Sequence, residues 1–265
     1  MGISCGVVGY GPENPFLWEY RFFLCFKPNE TDLDVRPPVI VHNRKQLSAM
    51  QQLILKGKVM EGFNIAMFDS PLMSAMGVPL EHPDCQDIML AIKSAKQKLP
   101  AVEMLDTTPE GEEIVERFKL QIIAVHTLGE TKLGEGEHAV QMVREGRLDD
   151  LEAYCLQDVR MSGLVRYWVS LYGFVVTNYR LIPCSVPGGV APWEWPGKWQ
   201  EKFGAAKRNR PASIKQIDKL RHISGGFWEP ALHLSMVEAS ALIDATQDWR
   251  LREEQAEKKK KGVLA

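Results

Sequence analysis

Apolar and polar positions recur along this chain in patterns that divide it into short elements. MGISCGVVGY is a run of small and β-branched residues of strand type, and the GYGPENP that overlaps its end is turn chemistry. In LWEYRFFLCF, Trp18, Tyr20, Phe22, Leu24 and Phe26 fall on one face of an extended segment, so the two runs predict an antiparallel hairpin. After the polar NETDLDVRPP comes a short strand, VIVH. A helix follows from Arg44 to Lys56, with Leu47, Met50, Leu53 and Ile54 at helical spacing and Gly57 as its stop. KVMEGFNIAMFD then reads as a buried strand passing into a loop, with another helix starting at PLMSAM.

Residues 84–98 predict a helix with Ile88, Leu90 or Ala91, Ile92 and Ala95 on its apolar side, and LPAVEMLDTTPEGEE breaks that pattern. A helix from Ile114 to Leu128 is expected to carry Val115, Phe118, Ile122 and Val125 inward and to end near Gly129. Beyond the polar loop 129–137, helices are predicted over 138–145 and 148–172, the second closed by Gly173. Residues 183–200 hold four Pro, three Gly and three Trp, which is linker composition with aromatic anchors. ASIKQIDKLRHIS and SMVEASALIDATQDW then predict two short amphipathic helices capped by Ser213 and Ser235, and WRLREEQAEKKKKG a charged helix or frayed tail. The body is α/β or α+β without internal repeats. The expected division is a main domain over 1–182, a linker over 183–211, and a small helical hairpin with tail over 212–265.

Composition narrows this only slightly. With 265 residues, 45% hydrophobic and 25% charged, the chain is neither disordered nor collagen-like and is long enough to bury a core. Its five cysteines form no close pairs, so a reducing, cytoplasmic location is the simplest expectation. No apolar run approaches the roughly 18 residues of a membrane span, and the first twenty residues lack a signal-peptide pattern. The net charge of −2 is unevenly spread: residues 1–182 carry 18 Lys and Arg against 24 Asp and Glu, while residues 183–265 carry 14 against 10.

Three segments hold candidate chemistry. In GFNIAMFD, residues 62–69, a strand delivers Asp69 where it turns into the next helix, as α/β proteins do at their sites; taken alone, Asp69 also reads as an N-cap. In YCLQDV, Tyr154 and Asp158 are four residues apart on one helix face. The phenol can orient a water and the carboxylate is a hard ligand for Mg²⁺ or Mn²⁺, although the same spacing fits a solvated face. In TLGETKLGEGEHAVQMVREG, glycines and Lys132 could approach a phosphate backbone, but the spacing of a P-loop is absent. The His and Cys residues offer no nucleophile–base pair or zinc site.

In this order, GFNIAMFD, TLGETKLGEG and REGRLDDLEAYCLQDVRMSGLVRYWVSLYG resemble the second and third motifs of the DEDD 3′-5′ exonucleases, in the branch marked by a tyrosine. The chain is similar over residues 1–175 to the proofreading domain of family B DNA polymerases and to stand-alone bacterial and phage exonucleases. The resemblance implies a ribonuclease-H-like fold, a mixed sheet flanked by helices, here with the small C-terminal helical module. It also implies two metal ions, Mg²⁺ or Mn²⁺, held by four carboxylates. Asp69 and Asp158 match metal ligands, Tyr154 matches the water-orienting tyrosine, and Phe63 and Asn64 match residues that shape the strand end and its nucleic-acid contact.

The family's remaining two carboxylates form an Asp-x-Glu pair ahead of the strand that MGISCGVV resembles. Leu17-Trp18-Glu19 lacks the Asp, and Asp32-Leu33-Asp34 has no buried strand around it. Either a further strand is encoded upstream of Met1, the preferred expectation, or this is a reorganised inactive module in which LWEYRFFLCF takes over central pairing. The polypeptide alone is expected to have little or no nuclease activity. Between Gly197 and His222, Lys198, Lys202, Lys207, Arg208, Arg210, Lys215, Lys219 and Arg221 interleave with Trp199 and Phe203. This composition suits single-stranded nucleic acid, although it also fits a solvated linker and helix face. The expected partner is a single-stranded DNA 3′ end. The alternatives are a catalytically inactive module that binds nucleic acid or a replication or repair protein, and a structural partner of a helicase or polymerase that docks through Trp193, Trp195 and Trp199.

Overall fold

A computed structural model describes residues 5–27, 30–31, 41–79, 82–99, 117–131, 136–194, 210–223 and 234–262. They fall into two compact units that interleave along the chain. One is made by the described residues between 1 and 88 and between 132 and 164, the other by those between 89 and 131 and between 165 and 265.

In the first unit, β1 (Cys5–Tyr10) and β2 (Glu19–Leu24) pair antiparallel, from Cys5 opposite Leu24 to Tyr10 opposite Glu19, as the alternation predicts. Their connection contains a 3-10 turn, Pro15–Leu17, opened by Asn14, whose side chain accepts the Phe16 N–H at 3.0 Å. Helix α1 (Arg44–Lys56) has the predicted bounds: Asn43 caps its start by accepting the Gln46 N–H, and Gly57 follows its last turn. Leu47 and Met50 of α1 bury against Phe23 and Cys25 after the hairpin bend and against Met73, Met76 and Val78. That core holds α2 (Asp69–Ala75) in place.

Helix α2 lies between two short parallel strands, β3 (Met60–Gly62) and β4 (Cys85–Asp87), the helical crossover that parallel pairing requires. The helix expected from residue 84 therefore starts later, as α3 (Ile88–Gln97), because residues 85–87 are taken up by pairing with β3. His82 ties the ends together. Its Nδ1 lies 2.9 Å from the Asp84 carbonyl oxygen and 3.1 Å from the Asp84 backbone nitrogen, and its Nε2 lies 3.0 Å from the Gly57 carbonyl oxygen.

Helices α5 (Gly136–Arg144) and α6 (Leu148–Tyr172) follow the predicted pattern, and Gly173 closes α6 with a φ of 71°. Trp18, at the entry to β2, fills a slot bounded by glycines. A Cβ at Gly163 of α6 would stand 2.5 Å from its ring, one at Gly9 2.7 Å and one at Gly11 3.0 Å. The indole N–H donates to the Pro12 carbonyl at 2.7 Å, which fixes its rotation. Close approach of the hairpin to α6 thus depends on the absence of side chains.

In the second unit, α4 (Leu120–Leu128) begins later than expected and buries Ile123, Ala124, His126, Thr127 and Leu128, while Ile122 and Val125 are only half-buried. LQIIAVHTL is apolar nearly all round, so periodicity does not select its buried face. Thr127 Oγ1 donates to the Val176 carbonyl and accepts the Val176 N–H, joining α4 to β5 (Phe174–Val176), which pairs antiparallel with β6 (Leu181–Pro183). Helix α7 (Ile214–Ile223) is capped by Ser213, and α8 (Met236–Lys260) by a reciprocal pair, Ser235 and Glu238. The second predicted short helix and the charged tail are one 25-residue helix. Trp249 of α8 packs on Trp168 of α6, ring centroids 5.4 Å apart, and Tyr172 donates to Asp248 at 2.7 Å.

Among the described residues the strands form three separate two-stranded sheets. The mixed α/β class is present, but the single mixed sheet expected of a ribonuclease-H-like fold is not assembled among them, since β1–β2, β3–β4 and β5–β6 each pair only internally. No described helix is long and apolar enough to cross a membrane.

Gly163→Ala should destabilise the chain by about 1–3 kcal/mol in urea unfolding, because the indole cannot retreat past Gly9 and Gly11. In a Trp18→Leu background the same change should be neutral or stabilising, since alanine is the better helix former. Equal stability of Gly163→Ala and the parent would contradict the slot.

Candidate active site

Gly62 and Asp87, the last residues of β3 and β4, stand opposite each other. The chain leaves β3 through Phe63, which is half-buried, and Asn64, whose φ of 66° lies in the left-handed region that asparagine tolerates better than most residues. The Asp87 carboxylate spans this turn. Its Oδ1 accepts the Asn64 N–H and its Oδ2 the Ala66 N–H, both at 3.0 Å. Inside the turn, the Phe68 N–H reaches the Asn64 carbonyl at 3.0 Å and the Ser70 N–H the Ile65 carbonyl at 2.8 Å.

Asp69 follows as the first residue of α2. The cap position belongs to Phe68 and has no side-chain hydrogen bond, so the reading of Asp69 as an ordinary N-cap does not hold. Burial pushes its carboxyl up to about 6; its own backbone hydrogen bond works against that shift, and the nearby Asp87 charge adds to it. Asp87 was not among the residues singled out from sequence. The signal for it was an acid closing a short run after the Pro83-Asp84 punctuation, which the helical reading of 84–98 absorbed.

Tyr154 and Asp158 lie one turn apart on α6. Tyr154 is only 6% exposed, so this face is not a solvated one. The spacing runs Leu151, Tyr154, Asp158, Met161, Val165, alternately three and four residues apart, and every member but Asp158 is buried and uncharged. A half-buried carboxylate on an apolar stripe breaks the local pattern, and such breaks concentrate at functional sites. Ser162 Oγ donates to the Asp158 backbone carbonyl at 2.9 Å.

Asp69, Phe63, Asn64, Tyr154 and Asp158 all belong to the first compact unit, although 89 positions separate Asp69 from Asp158. Of the basic candidates, Arg210 and Lys215 belong to the second unit and are exposed; Lys132, Lys198, Lys202, Lys207 and Arg208 lie outside the described residues. Trp193 packs on Phe174, ring centroids 6.2 Å apart, while Trp195 and Trp199 lie outside the described residues. Among the described residues Cys25, Cys85, Cys155 and Cys184 form no disulfide, and burial pushes Cys184 up to about 12, far from the reactive range.

Mg²⁺ or Mn²⁺ requires hard oxygen donors. Asp69 is one, and its desolvated charge is of the kind a cation would neutralise. Asp87 beside it already accepts two backbone N–H groups. Among the described residues no group of three or more His, Cys, Asp or Glu side chains is arranged to hold an ion. The described side chains therefore do not complete a metal cage. No family model matches this chain, and no curated protein or solved structure shows significant similarity to it.

Because the carboxyl of Asp69 is raised in the folded state, its contribution to stability is present below the ordinary aspartate range and is lost as pH rises from about 4 through about 6. Asp69→Asn, which mimics the neutral form, should unfold at higher urea than the parent at pH 8, by roughly 1–3 kcal/mol. The difference should disappear near pH 4. An Asn variant less stable than the parent at pH 8 would contradict a buried, strained carboxylate.

Proposed function

We propose that this chain carries the Asp69 and Tyr154–Asp158 portion of a 3′-5′ exonuclease site of the DEDDy type, on a ribonuclease-H-like framework, acting on single-stranded DNA 3′ ends. The observation that supports it best is the placement of Asp69, at a strand-to-helix turn, in the same compact unit as a tyrosine and an aspartate one turn apart on the inward stripe of α6. Asp69 and Asp158 are the candidate ligands for Mg²⁺ or Mn²⁺, and the resemblance assigns the other two to an Asp-x-Glu pair. Tyr154 fits the role of orienting a water: a phenol with an ordinary pKa near ~10 is a poor base but a good hydrogen-bond partner. Phe63 and Asn64 shape the strand end next to the scissile phosphate. The basic residues Lys198, Lys202, Lys207, Arg208, Arg210 and Lys215, with Lys132 of the loop, are assigned to phosphate contacts. A helicase or polymerase is the protein partner such a module would serve, in the cytoplasm.

A 3′-end-labelled single strand with Mn²⁺ tests this in the chain from Met1 and in a form that includes any in-frame sequence found ahead of it. Digestion from the 3′ end should fall roughly a thousandfold or more in Asp158→Ala. It should fall sharply in Asp69→Ala and by roughly tenfold in Tyr154→Phe. Digestion that persists in Asp158→Ala refutes the assignment. Salt-dependent binding without cleavage in either form leaves the reading of an inactive nuclease-fold binding module.

A further inference from the structure

From the geometry of the β3–α2 turn, we infer that Asp87 is a positioning residue: its carboxylate fixes the path of residues 63–68 and so sets where Asp69 stands. This inference rests on the reading of Asp69 as a site residue. Asp87 ends β4 directly beside Gly62, where β3 gives out, so its side chain is delivered to the one place where the neighbouring strand no longer supplies backbone partners. It spends both oxygens there, one on the Asn64 N–H and one on the Ala66 N–H, each at 3.0 Å. A charged acceptor makes the stronger bond, at the half-buried Asn64 and at the exposed Ala66 alike. The pair of bonds also accounts for Asn64, whose φ of 66° costs energy that a loop alone would relax.

Asp87→Asn keeps one acceptor oxygen and turns an amide N–H₂ toward a backbone donor, so it should break one bond. Asp87→Ala should break both. Amide hydrogen exchange of the whole chain, followed by NMR, should quicken at Asn64, Ala66 and Ser70 by at least roughly tenfold in Asp87→Asn and by more in Asp87→Ala. Exchange at Leu47 and Met50 of α1 should stay unchanged, which certifies that the variant is folded. If Asp87→Ala loses that α1 protection, Asp87→Asn decides. Unchanged exchange at Asn64 and Ala66 in a folded variant overturns the inference, whatever the protein does to DNA. In the digestion assay, Asp87→Asn should lose roughly 10–100-fold in kcat with KM held within roughly threefold, the signature of a displaced ligand and not of a lost binding surface. Faster exchange with kcat unchanged, while Asp69→Ala is impaired, overturns the positioning role but leaves the nuclease reading standing. Absence of cleavage in parent and variants alike refutes the nuclease reading, and the exchange result then decides the role of Asp87 in the turn.

Discussion

Where a chain leaves a strand its backbone N–H groups lose the partners of the ladder and need another acceptor. At Asn64 and Ala66 that acceptor is a single carboxylate, Asp87, and the path of the turn that leads to Asp69 follows from it. The parallel pair β3–β4 is only three residues long and contributes little by itself. What it does is bring Asp87 level with the end of β3. From there the two hydrogen bonds fix a left-handed Asn64, the turn delivers Asp69 into the first position of α2, and the methionine-rich core beneath α2 prevents that helix from drifting.

The position of the other candidate residues depends on close packing. Helix α6 carries Tyr154 and Asp158, and its approach to the β1–β2 hairpin is set by Trp18 lodged among Gly9, Gly11 and Gly163. The same helix continues to Tyr172, where aromatic packing against Trp249 and the Tyr172–Asp248 hydrogen bond fasten α8. Burial raises the Tyr172 phenol well above its ordinary value, while Arg252 holds Asp248 below the usual carboxylate range, so the acceptor stays charged and the donor keeps its proton. Rigid packing at α6 and hydrogen bonding at the β3–α2 turn are different means to one end: two carboxylates on separate elements, each with a defined position.

Much of this was legible in the sequence where local chemistry is decisive. The hairpin follows from two strand-type runs, the bounds of α1 from its helical spacing and Gly57, the end of α6 from Gly173, and the start of α8 from Ser235. Asp69, Tyr154 and Asp158 were singled out by the resemblance, through the order and spacing of its motifs, since each alone also fits an N-cap or a helix face. Strand β4 did not, because three residues carry too little periodicity to compete with the helical pattern that follows them. With β4 missed, Asp87 was missed too. The buried face of α4 was illegible for the opposite reason, an excess of apolar residues. The length of α8 was hidden by its charged second half, which has the composition of a tail but keeps helical hydrogen bonding to Lys260.

In the proposed reading Asp69 and Asp158 act on one phosphodiester. A crystal of the protein grown with Mn²⁺ and a short single-stranded oligonucleotide would show this directly. Anomalous density for manganese should lie between the carboxylates of Asp69 and Asp158, with the 3′-terminal phosphate against it and the Tyr154 hydroxyl facing the same phosphate. Manganese bound elsewhere, or an oligonucleotide held only along residues 197–222, would contradict the claim.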